Sequence, residues 1–325
     1  MEISVVIPVY NSERIVSELV EAICKNLSDN KYEIILVNDG SVDNSWKVIS
    51  DICNDNTSVK GVLLSKNFGQ DNAIMAGLNH ASGDYVVIMD DDLQHNPSDI
   101  LLLLHACNDG VYDVCYANYS KDKKQNIWKN FGSMINSKQA EILLNKPHDI
   151  YLSPFKIISK NIVRSILSYH GPYPYIDGLI ARSTGSITQV DVFHQMRLEG
   201  ESNYTIKKSF SVFLKHLTGF SVVPLRVASF MGMVVSVVGF ILGLYYIAEY
   251  FSGNSPEGWT TLVALQLFIG GAILTSMGLV GEYIGRMYLL VSGTPQYVIK
   301  EVKASSCSGL TNCSGLTNLD TKIAL

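Results

Sequence analysis

The sequence predicts an α/β fold: a mostly parallel sheet with helices on both faces, then juxtamembrane amphipathic helices and two transmembrane helices. Three observations predict it. Apolar, β-branched runs alternate with helical patterns of about a dozen residues from Glu2 to Ala117, which is the signature of βαβ units. Polar residues cluster where the apolar runs stop. Charge is unevenly placed: 46 of the 226 residues up to Arg226 are charged, but only 9 of the 99 from Val227 onward.

Taken in order, Glu2 to Val9 (EISVVIPV) reads as a buried strand ending in a turn. Ser12 is placed to cap a helix in which Ile15, Val16, Leu19, Val20, Ile23 and Leu27 recur at helical spacing. Tyr32 to Val37 is a second strand, stopped by NDGS, and Asp43 to Cys53 a second helix. Val59 to Leu64 is a third strand. The helix Asn72 to His80 carries Ala73, Ala76 and Gly77 on a close-packed side. Tyr85 to Met89 is a fourth strand running straight into three aspartates, and Pro97 opens a helix through Ala106. Val111 to Ala117 is a fifth strand.

Val227 to Ala248 (22 residues) and Gly258 to Gly281 (24 residues) carry no charge, enough for a helix to cross a bilayer core. The second window holds Gly270, Gly271, Gly278 and Gly281, which suit close helix–helix contact in lipid. Lys207, Lys208, Lys215 and Arg226 precede the first span; Arg286, Lys300 and Lys303 follow the second; the connecting loop holds Glu249 and Glu257. That bias predicts a multi-pass protein of the plasma (inner) membrane with the catalytic part and both termini cytoplasmic. No signal peptide is expected, because Met1 leads directly into a strand. None of the six cysteines forms a Cys-x-x-Cys pair, which suits a reducing compartment. The expected organisation is 1–205 catalytic, 206–226 amphipathic at the interface, spans at 227–251 and 258–285, and a cytoplasmic tail 286–325 containing a tandem CSGLTN. A net charge of −5 without a basic cluster excludes a nucleic-acid footprint.

In open parallel sheets, ligands bind beyond the carboxyl ends of the strands. Three polar clusters fall there: Tyr10-Asn11-Ser12, Asn38-Asp39-Gly40-Ser41 and Asp90-Asp91-Asp92. As turn formers the first two are unremarkable. The aspartates have a competing role as helix cap, which Asn96 or Ser98 fills equally well. Residues i and i+2 of an extended segment share a side, so Asp90 and Asp92 can present two carboxylates to one hard cation, Mg²⁺ or Mn²⁺, together with a diphosphate. No Gly-x-Gly-x-x-Gly and no Walker loop occurs, so dinucleotide and P-loop readings are weak.

VVIPVYN (Val5 to Asn11), VNDGS (Val37 to Ser41), NFGQDNAIMAGL (Asn67 to Leu78) and MDDDLQHNP (Met89 to Pro97) together resemble family 2 glycosyltransferases of the GT-A fold. Within these, the chain resembles the polyprenyl-phosphate sugar transferases, from residue 2 to about residue 300. The resemblance implies inverting transfer of one sugar from a nucleotide-sugar, with UDP the expected carrier, to polyprenyl (undecaprenyl) phosphate at a lipid bilayer, and a homo-oligomer. On the donor side it implies Asp39, with Pro8, Tyr10 and Asn11 beside it, then Gly40, Ser41, Asp71 and Asp91. It implies Asp90 and Asp92 as metal ligands, Gln94 facing a phosphate, and Asp177 at the general-base position. Arg197 and Ser202 match an Arg-x-x-Gly-x-Ser-x-Tyr segment that would meet a phosphate, with Lys156 a further cation. Lys207, Lys208, Lys215 and Arg226 would lie at headgroup depth.

Three positions depart from the family pattern. Ser12 stands where PVYNE has Glu. Asp91 stands where Ala is frequent. Tyr116 to Lys121 lacks arginines, leaving Lys121, Lys123 or Lys124 for any clamp there. Two alternatives follow: a processive polysaccharide synthase, for which the Gln-x-x-Arg-Trp motif is missing, and a non-catalytic membrane scaffold, suggested by Ser12 and Asp91.

Overall fold

The computed structural model describes residues 2–119, 150–192, 223–251 and 258–304. Its elements follow the chain as β1 (Glu2–Val9), α1 (Val16–Asn26), β2 (Lys31–Asn38), α2 (Ser45–Asp55), β3 (Val59–Leu64), α3 (Gln70–His80), β4 (Tyr85–Ile88), α4 (Asp99–Gly110) and β5 (Val114–Asn118). Then come β6 (Lys156–Ser159), α5 (Lys160–Leu167), α6 (Ile176–Ser183), β7 (Ile187–Asp191), α7 (Val223–Phe251), α8 (Trp259–Val291) and β8 (Ile299–Ala304).

One sheet runs in the order β7-β5-β6-β4-β1-β2-β3-β8. Strands β1 to β5 and β7 are parallel; β6 runs against β4 and β5, and β8 against β3. Both faces are covered, which is why the strands read as unbroken apolar runs. Ile3, Val5 and Ile7 pack with α1 and α4 residues such as Leu19, Ile23 and Leu103 on one face. Val6, Ile35 and Val37 pack with Ala73, Ala76, Ile166 and Ile180 on the other. The close-packed side of α3 is as the sequence predicts: a Cβ at Gly77 would come within 2.3 Å of Val6 Cγ1, so α3 lies nearly on the backbone of the sheet.

At the amino edge, Glu33 holds three segments together. Its carboxylate accepts the Ser4 hydroxyl (2.6 Å), the Ser82 N–H (2.6 Å) and hydroxyl (2.8 Å), and the Lys60 ammonium (2.5 Å). Burial opposes its ionisation, but these donors outweigh burial and bring its pKa down to about 2.

The C-terminal tail differs from expectation. Among the described residues one helical stretch, Phe268–Val291, is long and apolar enough to cross a membrane; Ala228–Ile241 in α7 is shorter. At Gly270, Gly271, Gly278 and Gly281 a Cβ would meet no described atom of this chain within 4 Å. Ile299–Ala304, assigned from sequence to a tail, is instead the eighth strand, paired from Lys60↔Ala304 to Leu64↔Ile299. The Ser65 N–H donates to Val298 O (2.8 Å), and the Gln296 amide donates to Tyr169 O (2.7 Å) and Gly171 O (2.8 Å). The chain that leaves α8 is thereby fastened to the sheet.

The Glu33 cluster predicts a pH signature. A carboxylate with a depressed folded pKa contributes stability above its unfolded pKa, lost as pH falls through the folded one. Glu33→Gln should lower unfolding stability by about 2 kcal/mol at pH 7. The gap between variant and parent in denaturant titrations should close as pH falls from about 4.5 to about 2.

Candidate functional site

The loops after β1, β2, β3 and β4 meet at the carboxyl edge of the sheet. The first two are laced together. The Asn11 N–H donates to Ser41 Oγ (3.0 Å), the Val42 N–H to Asn11 Oδ1 (3.0 Å), and the Ser12 N–H to Ser45 Oγ (2.9 Å). Asn11 holds φ +57°, a left-handed conformation that asparagine tolerates. Gly40 sits at φ +63°, where a Cβ would lie 2.4 Å from the Lys66 carbonyl carbon. Only glycine lets the second loop rest on the third.

Asp39 is almost fully buried. Its carboxylate accepts the Phe68 N–H (2.7 Å) and the Gly69 N–H (2.9 Å), which open α3. Burial pushes its pKa up, and the two N–H bonds partly offset this. Asp39 therefore holds the third loop beside the position at which a nucleoside is expected, with Pro8 at the end of β1 and Tyr10 exposed at the rim.

The aspartates after β4 divide their work. Asp90 Oδ1 accepts the Gln70 amide (2.7 Å), and its Oδ2 lies 4.0 Å from His95 Nε2. Asp92 Oδ1 accepts the Gln94 N–H (3.1 Å). Asp91 turns back into the first loop, where its Oδ2 accepts the Ser12 hydroxyl (2.6 Å) and the Tyr10 N–H (3.2 Å). Burial pushes the Asp91 carboxyl up to about 6 against those bonds. One correction follows. Ser12 spends its hydroxyl on Asp91, not on the helix end; only its carbonyl meets the Ile15 and Val16 N–H groups. As the sequence suggests, the aspartates do not cap α4: its N-cap position is Ser98, with no side-chain cap bond, and Asn96 Oδ1 accepts the Ser98 N–H (3.1 Å) in the turn before it. The two positions that depart from the family pattern are thus partners, with the carboxylate carried by the fourth loop instead of the first.

Behind this loop His95 is buried, hydrogen-bonded through Nδ1 to the Tyr119 hydroxyl (2.7 Å) and stacked on Phe155 at 5.2 Å. Sequence reasoning missed His95, Tyr119, Phe155 and Gln70. Only the adjacency of His95 to the aspartates hinted at a role.

The second cluster lies where β6 passes β4 and β5, with Lys156 opposite Ile88 and Tyr116. Lys156 is buried and ion-paired to Asp177, which also accepts the Tyr116 hydroxyl (2.9 Å). The ammonium sits 5.2 Å from the centroid of the Tyr116 ring. Asp71 is close enough to feel both charges: burial first, then Asp177, push it up to about 6, with Lys156 and the Ile176 N–H opposing. The placement gives Lys156 to Asp177 and not to an open phosphate surface, and leaves Asp177 already engaged. Arg197, Ser202, Lys207, Lys208 and Lys215 lie outside the described residues. Arg226 falls in the first turn of α7.

The domain described as "Glycosyl transferase family 2" matches residues 4–167, and "GtrB C-terminal hairpin" matches residues 223–287. A relative from Proteus mirabilis (strain HI4320), named undecaprenyl-phosphate 4-deoxy-4-formamido-L-arabinose transferase, is 35% identical over 310 residues, 93% of this chain and 94% of that protein. The chain belongs to glycosyl transferase family 2. An uncharacterized glycosyltransferase of Bacillus subtilis (strain 168), YkcC, is 29% identical over 304 residues, with 93% and 94% covered. The solved glucosyl-3-phosphoglycerate synthase from Mycobacterium tuberculosis, in complex with Mn²⁺, UDP and phosphoglyceric acid, aligns at 18% identity with a TM-score of 0.49, over 67% of this chain and 76% of that one. In this family 2 chain the carboxyl-edge loops and the Asp90–Asp92 segment fall inside the matched 4–167 span.

The Ser12–Asp91 pairing makes a prediction. Ser12→Glu alone sets a second carboxylate against Asp91 and should lower sugar-transfer activity about tenfold, the effect of one pKa unit of charge conflict. Adding Asp91→Ala should restore most of it. Equal activity of the single and double variants in a transfer assay would refute the pairing.

Proposed function

We propose that this chain transfers one sugar from a nucleotide-sugar, with a UDP carrier, to polyprenyl phosphate at the cytoplasmic face of the plasma membrane. The observation that carries this reading is a family 2 catalytic sheet whose last strand arrives directly from an apolar helix long enough to cross a membrane. Likeness along nearly the full length to a protein named for undecaprenyl phosphate supports the acceptor class. The return of β8 to the sheet supports a two-span hairpin (227–251 and 258–285), because an even number of crossings brings both ends back to one side. The basic residues Arg226, Arg286, Lys300 and Lys303 favour the cytoplasm for that side.

The donor set suits a hard divalent cation. Asp90 and Asp92 offer oxygens only, and among the described residues no three His, Cys, Asp or Glu side chains converge as a self-sufficient metal cage. Two carboxylates completed by substrate phosphates is the usual arrangement for Mg²⁺ and serves Mn²⁺ as well. Such an ion supplies charge neutralisation to the departing diphosphate. The protein does the rest. Gln70 and the Gln94 N–H orient the two carboxylates, and the laced first and second loops fix the nucleoside end through Tyr10, Asn11, Gly40, Ser41 and Asp39. Asp71 and Asp91 set the field around it.

The acceptor phosphate has a second pKa near 6 and is largely dianionic at pH 7, so it attacks the anomeric carbon without first losing a proton. Attack opposite the departing diphosphate inverts that carbon. Positioning then matters more than base strength, which agrees with an Asp177 already bound by Lys156 and Tyr116. Arg197 and Ser202, with Lys207, Lys208 and Lys215, are proposed to meet the acceptor phosphate or the headgroups around it.

Asp92→Asn should reduce lipid-linked product at least about 100-fold, the scale of losing a preorganised electrostatic contact. Asp177→Asn should cost only about tenfold, since no strong base is required. Both are read as organic-extractable labelled sugar in membranes given the donor and Mg²⁺. Full activity of Asp92→Asn would remove the metal assignment, and a larger loss for Asp177→Asn than for Asp92→Asn would restore a catalytic base.

A further inference from the structure

A cleft of about 490 Å³ opens between α8 and the loop that leads into α6, lined by Tyr173, Gly281, Glu282, Gly285, Arg286 and Leu289 among others. We infer that this cleft is the entry and binding site of the acceptor lipid, holding its phosphate at Arg286 and its first isoprene units along Gly281 and Gly285. The inference rests on the acceptor class proposed above and adds the place and the residues.

Depth comes first. α8 has 33 residues, about 50 Å at 1.5 Å per residue, against a hydrocarbon core of about 30 Å. No charge occurs from Gly258 to Gly281, a stretch of 24 residues. Glu282 and Arg286 are the first charges after it, on the catalytic side, which is where a lipid phosphate lies.

Chemistry comes second. Arg286 is 20% exposed, and its Nε (3.1 Å) and Nη2 (3.0 Å) are aimed by Glu282 Oε1, one turn earlier on the same helix. The guanidinium has five N–H donors in a rigid fork, so this pairing orients it and leaves donors for a phosphate. Glu282 is half-exposed at 54%, so the pair is neither sealed nor fully desolvated.

Shape comes third. Gly281 and Gly285 line the cleft, and a Cβ at either would meet no described atom within 4 Å. Tyr173, 52% exposed, forms the facing wall with an aromatic surface suited to an isoprenoid chain.

Connection comes last. The Tyr169 hydroxyl donates to Tyr173 O (3.2 Å), and the Gln296 amide fastens Tyr169 and Gly171 to the chain leaving α8. The wall therefore stays in register with the span. Tyr173 is four residues before Asp177, so at most about 14 Å of extended chain separates the cleft from the Asp177–Lys156–Tyr116 cluster. The wall of the cleft is thus tied by a short stretch of chain to the cluster at Asp177.

The test uses the full chain in vesicles. Gly285→Leu fills the groove without touching charge; Arg286→Gln removes the phosphate contact. Each should raise the KM for long-chain polyprenyl phosphate about tenfold, with donor affinity by calorimetry within about twofold of the parent. A soluble two-isoprene phosphate should respond to Arg286→Gln and much less to Gly285→Leu. In parallel, polyprenyl phosphate bearing a diazirine near its phosphate should cross-link to peptides containing Tyr173 or Leu289, without need of turnover. Excess inorganic phosphate should not displace it.

Transfer with unchanged acceptor KM in both variants and no cross-link there overturns the cleft while the proposed activity stands. Cross-linking there without transfer of any sugar supports the cleft and overturns the activity. Displacement by inorganic phosphate alone reduces the cleft to an anion site and overturns the lipid assignment.

Discussion

The pairing of β8 with β3 is the constraint on which the rest of the molecule depends. Five register positions, from Lys60↔Ala304 to Leu64↔Ile299, join the segment after α8 to the edge of the catalytic sheet. A free apolar edge strand is an aggregation hazard, and β8 covers β3 with an edge that bears charges instead. The same hydrogen bonds fix the sheet relative to the end of a helix suited to a bilayer. Gln296 extends the fixation to the loop before α6. A catalytic domain joined to the spans through 192–223 alone would have one covalent connection; this one has a second, made of strand ladder, on the opposite side of the sheet.

Within that frame, the carboxyl edge is built from loops that satisfy one another. Asp39 staples the loop before α3, Asn11 and Ser41 join the first two loops, and Asp91 reaches across to Ser12. Burial raises the cost of ionising Asp91 and Asp71 and pushes their carboxyls to about 6 against the donors already beside them. Ser12 and Asp91, the two departures from the family motif, are hydrogen-bonded to each other.

Much of the fold was legible in the sequence because both faces of the sheet are buried. β1 to β5 are nearly unbroken apolar runs, and their ends carry the polar clusters that form the site. The rest depended on partners distant in the chain. β6 is four residues long and opens with Lys156, whose burial is acceptable only because Asp177 and the Tyr116 ring surround it; from sequence that lysine resembled a phosphate contact. β8 (IKEVKA) is an exposed edge strand with charges outward, so its period looked like a tail. His95 and Tyr119, which buttress the aspartates, carry no pattern of their own. The resemblance supplied roles for Asp39, Asp90 and Asp92, whereas the lacing that positions them was visible only in three dimensions.

The central claim is single-sugar transfer to a lipid phosphate. The measurement closest to it is mass spectrometry of the lipid fraction after incubating the purified chain in polyprenyl-phosphate vesicles with Mg²⁺ and a panel of nucleotide-sugars. The account predicts, for at least one donor, a lipid heavier by one sugar residue, cleaved by mild acid and formed in step with free nucleoside diphosphate. A ladder of sugar additions, or nucleoside diphosphate release from every productive donor without a glycosylated lipid, would contradict it.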